Sequence, residues 1–244
     1  MDSPVRIAMW SGPRNISTAL MRSFEARGDS FVTDEPLYSH YLYETGIDHP
    51  MRDEIIATYE SDWHKVIDWL GGPVPNDKKI WYQKHMSHHL LPHIDREWIR
   101  SFQNCFLIRE PKEVLLSYNK KRETVSLEGL GYRQQSELFD FLKVATGNSP
   151  AVIDSRDVLE NPNEILTLLC ENIGIEFTEE MLEWKPGLRE TDGIWAEHWY
   201  DSVKETTGFG KYQPNPEKLP SEFDSLLEEC RSYYKKLWEV RIRV

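Results

Sequence analysis

Two arginines, each following an apolar run, are the side chains whose setting most suggests chemistry. Arg14 comes after Val5-Arg6-Ile7-Ala8-Met9-Trp10 and the small segment Ser11-Gly12-Pro13, and it precedes Asn15, Ser17 and Thr18. The apolar run reads as a buried strand, and helix-favouring residues run from Ser17 through Arg27 with Leu20, Met21 and Phe24 on one face. A strand, a tight loop and a helix N-terminus bring backbone N–H groups and the positive end of a helix dipole to one point. With a charge from Arg14 and hydroxyls from Ser17 and Thr18, that point suits phosphate or sulfate. Arg109 ends a second apolar run, Phe106-Leu107-Ile108, and Ser117 lies further along the helix predicted over Lys112–Lys121.

Neither segment is decisive alone. The first lacks the second glycine and the lysine of a nucleotide-binding P-loop signature. A plain strand–turn–helix capped by Ser-Thr would look the same, and Arg109 could simply pair with Glu110 or Glu113 on the surface. For proton transfer there are two candidates at strand ends. Glu35 follows Phe31-Val32-Thr33-Asp34, and Pro36 biases it to an extended backbone. Alternation along a strand then turns Asp34 to the other face. His85 follows Ile80-Trp81-Tyr82-Gln83 and Lys84. The group His85, His88, His89 and His93 matches no zinc spacing and reads as clustered surface histidines, so no metal is expected.

Such groups need a frame. Strands are predicted at 5–10, 31–33, 80–83, 106–108 and 151–154, and helices at 17–27, 112–121, 132–146, 163–172 and 221–240. The stretch 39–70 is mostly helical by pattern. Strands alternating with helices give an α/β fold with a mainly parallel sheet, whose ligands sit beyond the carboxyl ends of the strands. In helix 132–146 the residues Leu138, Phe139, Phe141, Leu142 and Val144 are expected inward, and in helix 221–240 the buried stripe includes Leu227, Leu237 and Trp238. From Trp184 to Pro216 periodicity fails, which in a compact domain points to a functional or mobile loop.

With 244 residues, 39% of them hydrophobic, and no linker or repeat, residues 1–244 are expected to form a single domain. A net charge of −12 argues against nucleic acid or an anionic membrane as partner, though a few local arginines can still hold a polyanion. No apolar run reaches membrane-span length, and Met1-Asp2-Ser3-Pro4 does not open a secretory signal. Cys105, Cys170 and Cys230 are too scattered for a disulfide frame and read as reduced core residues, so a cytoplasmic location is expected.

Taken together, the Arg14 and Arg109…Ser117 segments resemble the sulfotransferase family, whose donor is 3′-phosphoadenosine 5′-phosphosulfate (PAPS) and whose product is adenosine 3′,5′-bisphosphate. The likeness extends through Val152-Ile153-Asp154-Ser155-Arg156-Asp157-Val158-Leu159-Glu160-Asn161-Pro162 and Leu166 to Ile175, and more weakly to Gly208-Phe209-Gly210-Lys211-Tyr212. It implies a P-loop-type three-layer α/β/α fold of the soluble branch. It also implies that Ser11, Gly12, Arg14, Asn15, Ser17 and Thr18 surround the 5′-phosphosulfate. Arg109 and Ser117 would bind the 3′-phosphate, and Gly208, Gly210 and Lys211 would close over it. Arg14 takes the place of a loop cation that neutralises the leaving oxygen.

Glu35 corresponds to the base of the family's carboxylate branch. Lys84-His85 resembles the K-x-H element of its cytosolic branch, with lysine here directly preceding histidine. Glu35 is placed ahead of His85, and Lys84 is a candidate sulfate ligand. Trp195, His198, Trp199 and Tyr200 suit an acceptor wall or lid, or mere packing under a loop. The expected partner is a small-molecule acceptor bearing a hydroxyl or amine. Two rival readings remain: a degenerate P-loop nucleotide-binding protein or small-molecule kinase, and a non-catalytic sulfotransferase-like binding module.

Overall fold

The computed structural model describes residues 4–119 and 125–244. Five strands form the sheet: β1 (Val5–Ser11), β2 (Ser30–Asp34), β3 (Ile80–Met86), β4 (Gln103–Ile108) and β5 (Ala151–Asp154). The helices are α1 (Ser17–Ala26), α2 (Tyr38–Thr45), α3 (Arg52–Thr58), α4 (Trp63–Gly71), α5 (Pro111–Asn119), α6 (Leu127–Leu130), α7 (Tyr132–Thr146), α8 (Ser155–Glu160), α9 (Pro162–Ile173), α10 (Ala196–Trp199) and α11 (Asp224–Glu239). The predicted ends of helix 112–121, Lys120 and Lys121, lie outside the described residues, as do Met1, Asp2 and Ser3.

The strand order is β2-β3-β1-β4-β5, and every neighbouring pair is parallel. The chain turns to opposite sides of β1 for β3 and β4, so the carboxyl end of β1 is the switch point where ligands of such sheets bind. Side chains alternate cleanly between two buried layers. Ile7, Met9, Tyr82, Leu107 and Ile153 pack against Leu20, Phe24 and Val158 of α1 and α8 and against Leu166 and Leu169 of α9. On the other face, Ala8, Trp10, Trp81, Phe106 and Val152 meet Leu70 of α4, Leu138 and Leu142 of α7 and Leu237 of α11. The result is a three-layer α/β/α fold.

β3 is buried along its whole length, because β1 and β2 flank it and both its faces are covered. It therefore runs to Met86, past the polar residues that suggest its end. The period-2 pattern puts Lys84 on the α1 side and His85 on the opposite one. Two apolar expectations are corrected: Val144 and Trp238 are exposed, the first at the outer edge of α7. The stretch 39–70 is broken into three separate helices.

Asp154 closes β5 and caps α8, accepting from the Arg156 amide at 2.8 Å and from the Tyr234 hydroxyl at 2.8 Å. It is 3% exposed, and burial leads in pushing its pKa up to about 6. A carboxyl raised on folding contributes stability below its unfolded value that is lost as pH rises through about 6. Asp154→Asn keeps the cap and removes that loss. Its urea midpoint should match wild type near pH 4 and exceed it at pH 8, by up to about 3 kcal/mol. A difference independent of pH would refute the assignment.

Candidate active site

A cavity of about 400 Å³ opens at the carboxyl end of β1, lined by Arg14, Ser17 and Thr18, by Arg109 and Ser117, and by Glu35, Lys84 and His89. The loop from β1 to α1 is built on unusual backbone angles: Arg14 has φ 57° and Ile16 φ 21°. Left-handed residues alternating along a loop turn successive N–H groups inward, making a nest for an anion. Ile16 occupies the N-cap without a side-chain hydrogen bond, so Ser and Thr do not cap α1; Ser17 and Thr18 sit in its first turn. The first-turn amides of an uncapped helix are left for a ligand.

The loop is tied down from behind. Asn15 donates to the Leu107 carbonyl at 2.6 Å, and Gln135 donates to the carbonyls of Trp10 and Leu107. Asn15 lines the cavity, but its amide nitrogen is thus committed to β4. Ser11 and Gly12 do not line it. The Ser11 hydroxyl lies 3.9 Å from the Met86 sulfur, and a Cβ on Gly12 would come within 2.6 Å of the Leu130 carbonyl oxygen. Both hold the frame: Gly12 is needed for that close approach.

The two arginine segments meet. Arg109 donates through Nη1 to the Arg14 carbonyl at 2.8 Å, and Arg14 donates through Nε to Ser117 Oγ at 3.0 Å. Arg109 also pairs with Glu113 at 3.0 Å, and Tyr212 bonds the other Glu113 oxygen. The surface pairing that residue types suggest is therefore real, and the same arginine nevertheless faces the cavity. Burial, and after it the nearby Arg109 charge, lowers the pKa of Arg14 from its ordinary value. Two cations held this close invite an anion. Gly208, Gly210 and Lys211 line the same cavity, and the Gly208 backbone bridges to Glu183.

Glu35 and Lys84 of the cavity wall belong to a buried ionic cluster. The three ammonium hydrogens of Lys84 face Asp34 at 2.7 Å, Glu35 at 2.6 Å and the Tyr200 hydroxyl at 2.7 Å. Tyr200 donates in turn to Asp34 at 2.6 Å, and Gly193 N–H to the same oxygen at 3.2 Å. Burial lowers the lysine's pKa, but Asp34 and Glu35 outweigh it and hold the ammonium well above its ordinary value. Burial raises Glu35, ahead of the lowering pull of Lys84, and Asp34 adds to the rise. Glu35 is not extended: its φ is 44°. That turn corrects the expectation that Asp34 and Glu35 point apart, since both carboxylates converge on one ammonium. Lys84, with all three hydrogens engaged, is an organiser of carboxylates in this arrangement, not a free sulfate ligand.

His85 lies outside the cavity, which corrects its placement beside the acceptor. It is buried on the far face of β3, stacked on Trp10 at 4.4 Å, and burial pushes its pKa down to about 3. Nor are its neighbours surface histidines. His88 and His89 are 8% and 3% exposed, and only His93 of the four is exposed. His89 lies between Tyr38 and Tyr41, with centroids 4.7 and 4.6 Å away, and it lines the cavity. Trp199 lines the cavity with Tyr200, whereas Trp195 packs behind the wall against Tyr38 and Tyr59, and His198 is exposed. Asp34 and His89 escaped sequence reasoning. Register could have found the first, since Asp34 pairs with Lys84; nothing local marks the second.

Among known families the chain matches the Sulfotransferase domain over residues 5–240. It is 36% and 38% identical to branched-chain-amino-acid aminotransferase-like proteins 2 and 1 of Arabidopsis thaliana, over 95% and 97% of its own length. It spans 41% and 42% of those relatives. Among solved structures it resembles the sulfotransferase domain from the curacin biosynthetic pathway, with a TM-score of 0.54 at 16% identity, covering 95% of this chain and 98% of that one. It also resembles a sulfotransferase from Alicyclobacillus acidocaldarius, with a TM-score of 0.53 at 12% identity, covering 100% and 98%.

Proposed function

The chain belongs to the sulfotransferase domain family, and on that premise we propose that it moves a sulfuryl group from PAPS to a small-molecule acceptor, with Glu35 as base. The observation that carries the reading is the junction of the two arginines. Arg109 is bonded to the backbone of the loop that holds Arg14, and Arg14 to Ser117 on α5. One anion-seeking surface is thereby built from segments roughly a hundred residues apart. The lining of the cavity supports this reading: an uncapped helix, a nest and Arg14 suit a 5′-phosphosulfate, and Arg109, Ser117 and Lys211 suit a 3′-phosphate. When bound, PAPS supplies the sulfuryl group and departs as adenosine 3′,5′-bisphosphate.

In this reading each residue of the chain has a task. Glu35 takes the proton of the acceptor. Lys84 fixes the Glu35 carboxylate against one wall, and Tyr200 and Asp34 fix Lys84. Arg14 meets the charge that develops on the leaving side, where a preorganised cation acts most strongly. Trp199, Val203 and Phe209 give the cavity an apolar wall. Residues 1–244 are proposed as one domain, and no helix among the described residues is long and apolar enough to cross a membrane. The unpaired, buried cysteines support a reducing, cytoplasmic setting.

Calorimetric titration of adenosine 3′,5′-bisphosphate and adenosine 5′-phosphate tests the donor. Losing a bidentate, charge-assisted contact costs roughly 2–3 kcal/mol. Arg109→Ala should weaken the bisphosphate by about 30- to 150-fold. Because Arg109 also steadies the Arg14 carbonyl, the monophosphate should lose some affinity too, but several-fold less. Arg109→Lys should not rescue the bisphosphate, since lysine lacks the fork. Equal losses for both ligands would refute the 3′-phosphate assignment.

A further inference from the structure

We propose that His89 holds the acceptor by a hydrogen bond from Nδ1–H and thereby selects a hydroxyl over an amine; this rests on the donor and base reading above. The geometry is a gap with chemistry on both sides. His89 Nδ1 lies 3.9 Å from Glu35 Oε2, too far for a hydrogen bond between them. The His89 side chain is 3% exposed, and Nδ1 has no hydrogen-bond partner among the described residues. An oxygen about 2.8 Å from each atom closes a triangle on that base. Tyr38 and Tyr41 cover the faces of the ring, so the nitrogen cannot easily swing elsewhere.

The tautomer follows from the neighbours. Glu35, Lys84, His88 and His49 surround the ring, and burial, then His88 and His49, keeps it uncharged by drawing its pKa well below the ordinary value. A bare nitrogen lone pair facing a carboxylate oxygen would be repelled, so the single ring proton belongs on Nδ1. His89 is then a donor, and Glu35 the acceptor of the proton.

Lone pairs decide the substrate class. A hydroxyl oxygen has two: one accepts from His89 while the other attacks sulfur, and the O–H proton passes to Glu35 Oε2. The new O–S bond forms as the bond from sulfur to the bridging phosphate oxygen breaks. Its electrons leave with adenosine 3′,5′-bisphosphate, facing Arg14. A neutral amine has one lone pair, which can attack or accept from His89 but cannot do both. The site therefore suits alcohols and phenols.

The tautomer can be read without any acceptor. In protein labelled with ¹⁵N-histidine, two-bond ¹H–¹⁵N spectra at neutral pH should give a protonated Nδ1 for the signal that His89→Phe removes. A protonated Nε2 overturns the proposal. Turnover is then compared for phenol and aniline, which are alike in shape and both largely uncharged at neutral pH, by release of the bisphosphate from PAPS. Wild type should favour phenol by at least about 10-fold, and His89→Phe should lower phenol turnover by roughly 10-fold and bring the two within about threefold. Aniline matching phenol in wild type overturns the proposal. Absence of calorimetric binding of the bisphosphate overturns the donor reading and this inference with it. Binding with the wrong tautomer or an unselective wild type overturns only the role of His89.

Discussion

Glu35→Gln should lower turnover by roughly 100-fold or more while leaving the affinity for adenosine 3′,5′-bisphosphate within about twofold of wild type. Glutamine keeps the shape and can still accept from Lys84, but it cannot take a proton. Glu35 Oε1 is fixed by the ammonium at 2.6 Å, and its other oxygen faces the gap beside His89. The pH dependence follows from the direction of its shift. Burial raises Glu35 despite Lys84, so the ionised form is lost as pH falls at values above the ordinary carboxylate range. The acid limb of the rate profile should lie there and vanish in Glu35→Gln. His85→Asn should change turnover far less, because that ring is stacked on Trp10 across the sheet. If His85→Asn abolished turnover with bisphosphate binding intact while Glu35→Gln kept most of it, the base would be misassigned.

The strands were legible because each is an apolar run bounded by turn residues, and parallel strands covered on both faces leave such runs. The meeting of Arg14 with Ser117 was legible as a pairing of motifs, though not as a hydrogen bond. What was not legible came from period and burial. Choosing between Lys84 and His85 is a matter of one residue, and one residue reverses the face. Gln83, Lys84 and His85 look like the end of a strand, yet all three are buried within it. Pro36 signals an extended Glu35, but the chain takes a left-handed turn there, held by the Glu35 amide donating to the Lys84 carbonyl at 2.9 Å.

Tyr38 and Tyr41, some fifty residues earlier, close on the faces of His89, and no local pattern encodes that contact. The irregular stretch after Trp184 is fixed in the same nonlocal way. Asp192 pairs with Arg22 of α1 at 2.5 Å and Arg189 with Glu25 at 2.8 Å, which brings Tyr200 over Lys84. The stretch reads as a loop in sequence because its order is supplied by α1 and by β2 rather than by its own periodicity.

The largest effect on stability should come from Lys84→Met. Methionine fills much the same space, but it leaves Asp34 and Glu35 buried together with no cation between them. Lys84 and Asp34 have side chains each 1% exposed and Glu35 12%, so water compensates poorly for the lost partner. Removing one member of a buried ion pair typically costs about 3–5 kcal/mol, mostly as the penalty on the charge left behind. Here two charges are left, and Tyr200 stays bonded only to Asp34. Without the ammonium, Glu35, already raised by burial and further by Asp34, loses the one cation that pulls its pKa down and must rise further. A group raised on folding contributes stability at low pH that is lost as pH rises through its folded value. The deficit of Lys84→Met against wild type should therefore be small near pH 4 and reach its full size by pH 8, measured as urea midpoints across that range. Adding Asp34→Asn to Lys84→Met should recover part of the loss at pH 8 and almost none at pH 4. A deficit of the same size at every pH would mean that the lysine acts by packing alone, and the ionic account of the cluster would fall.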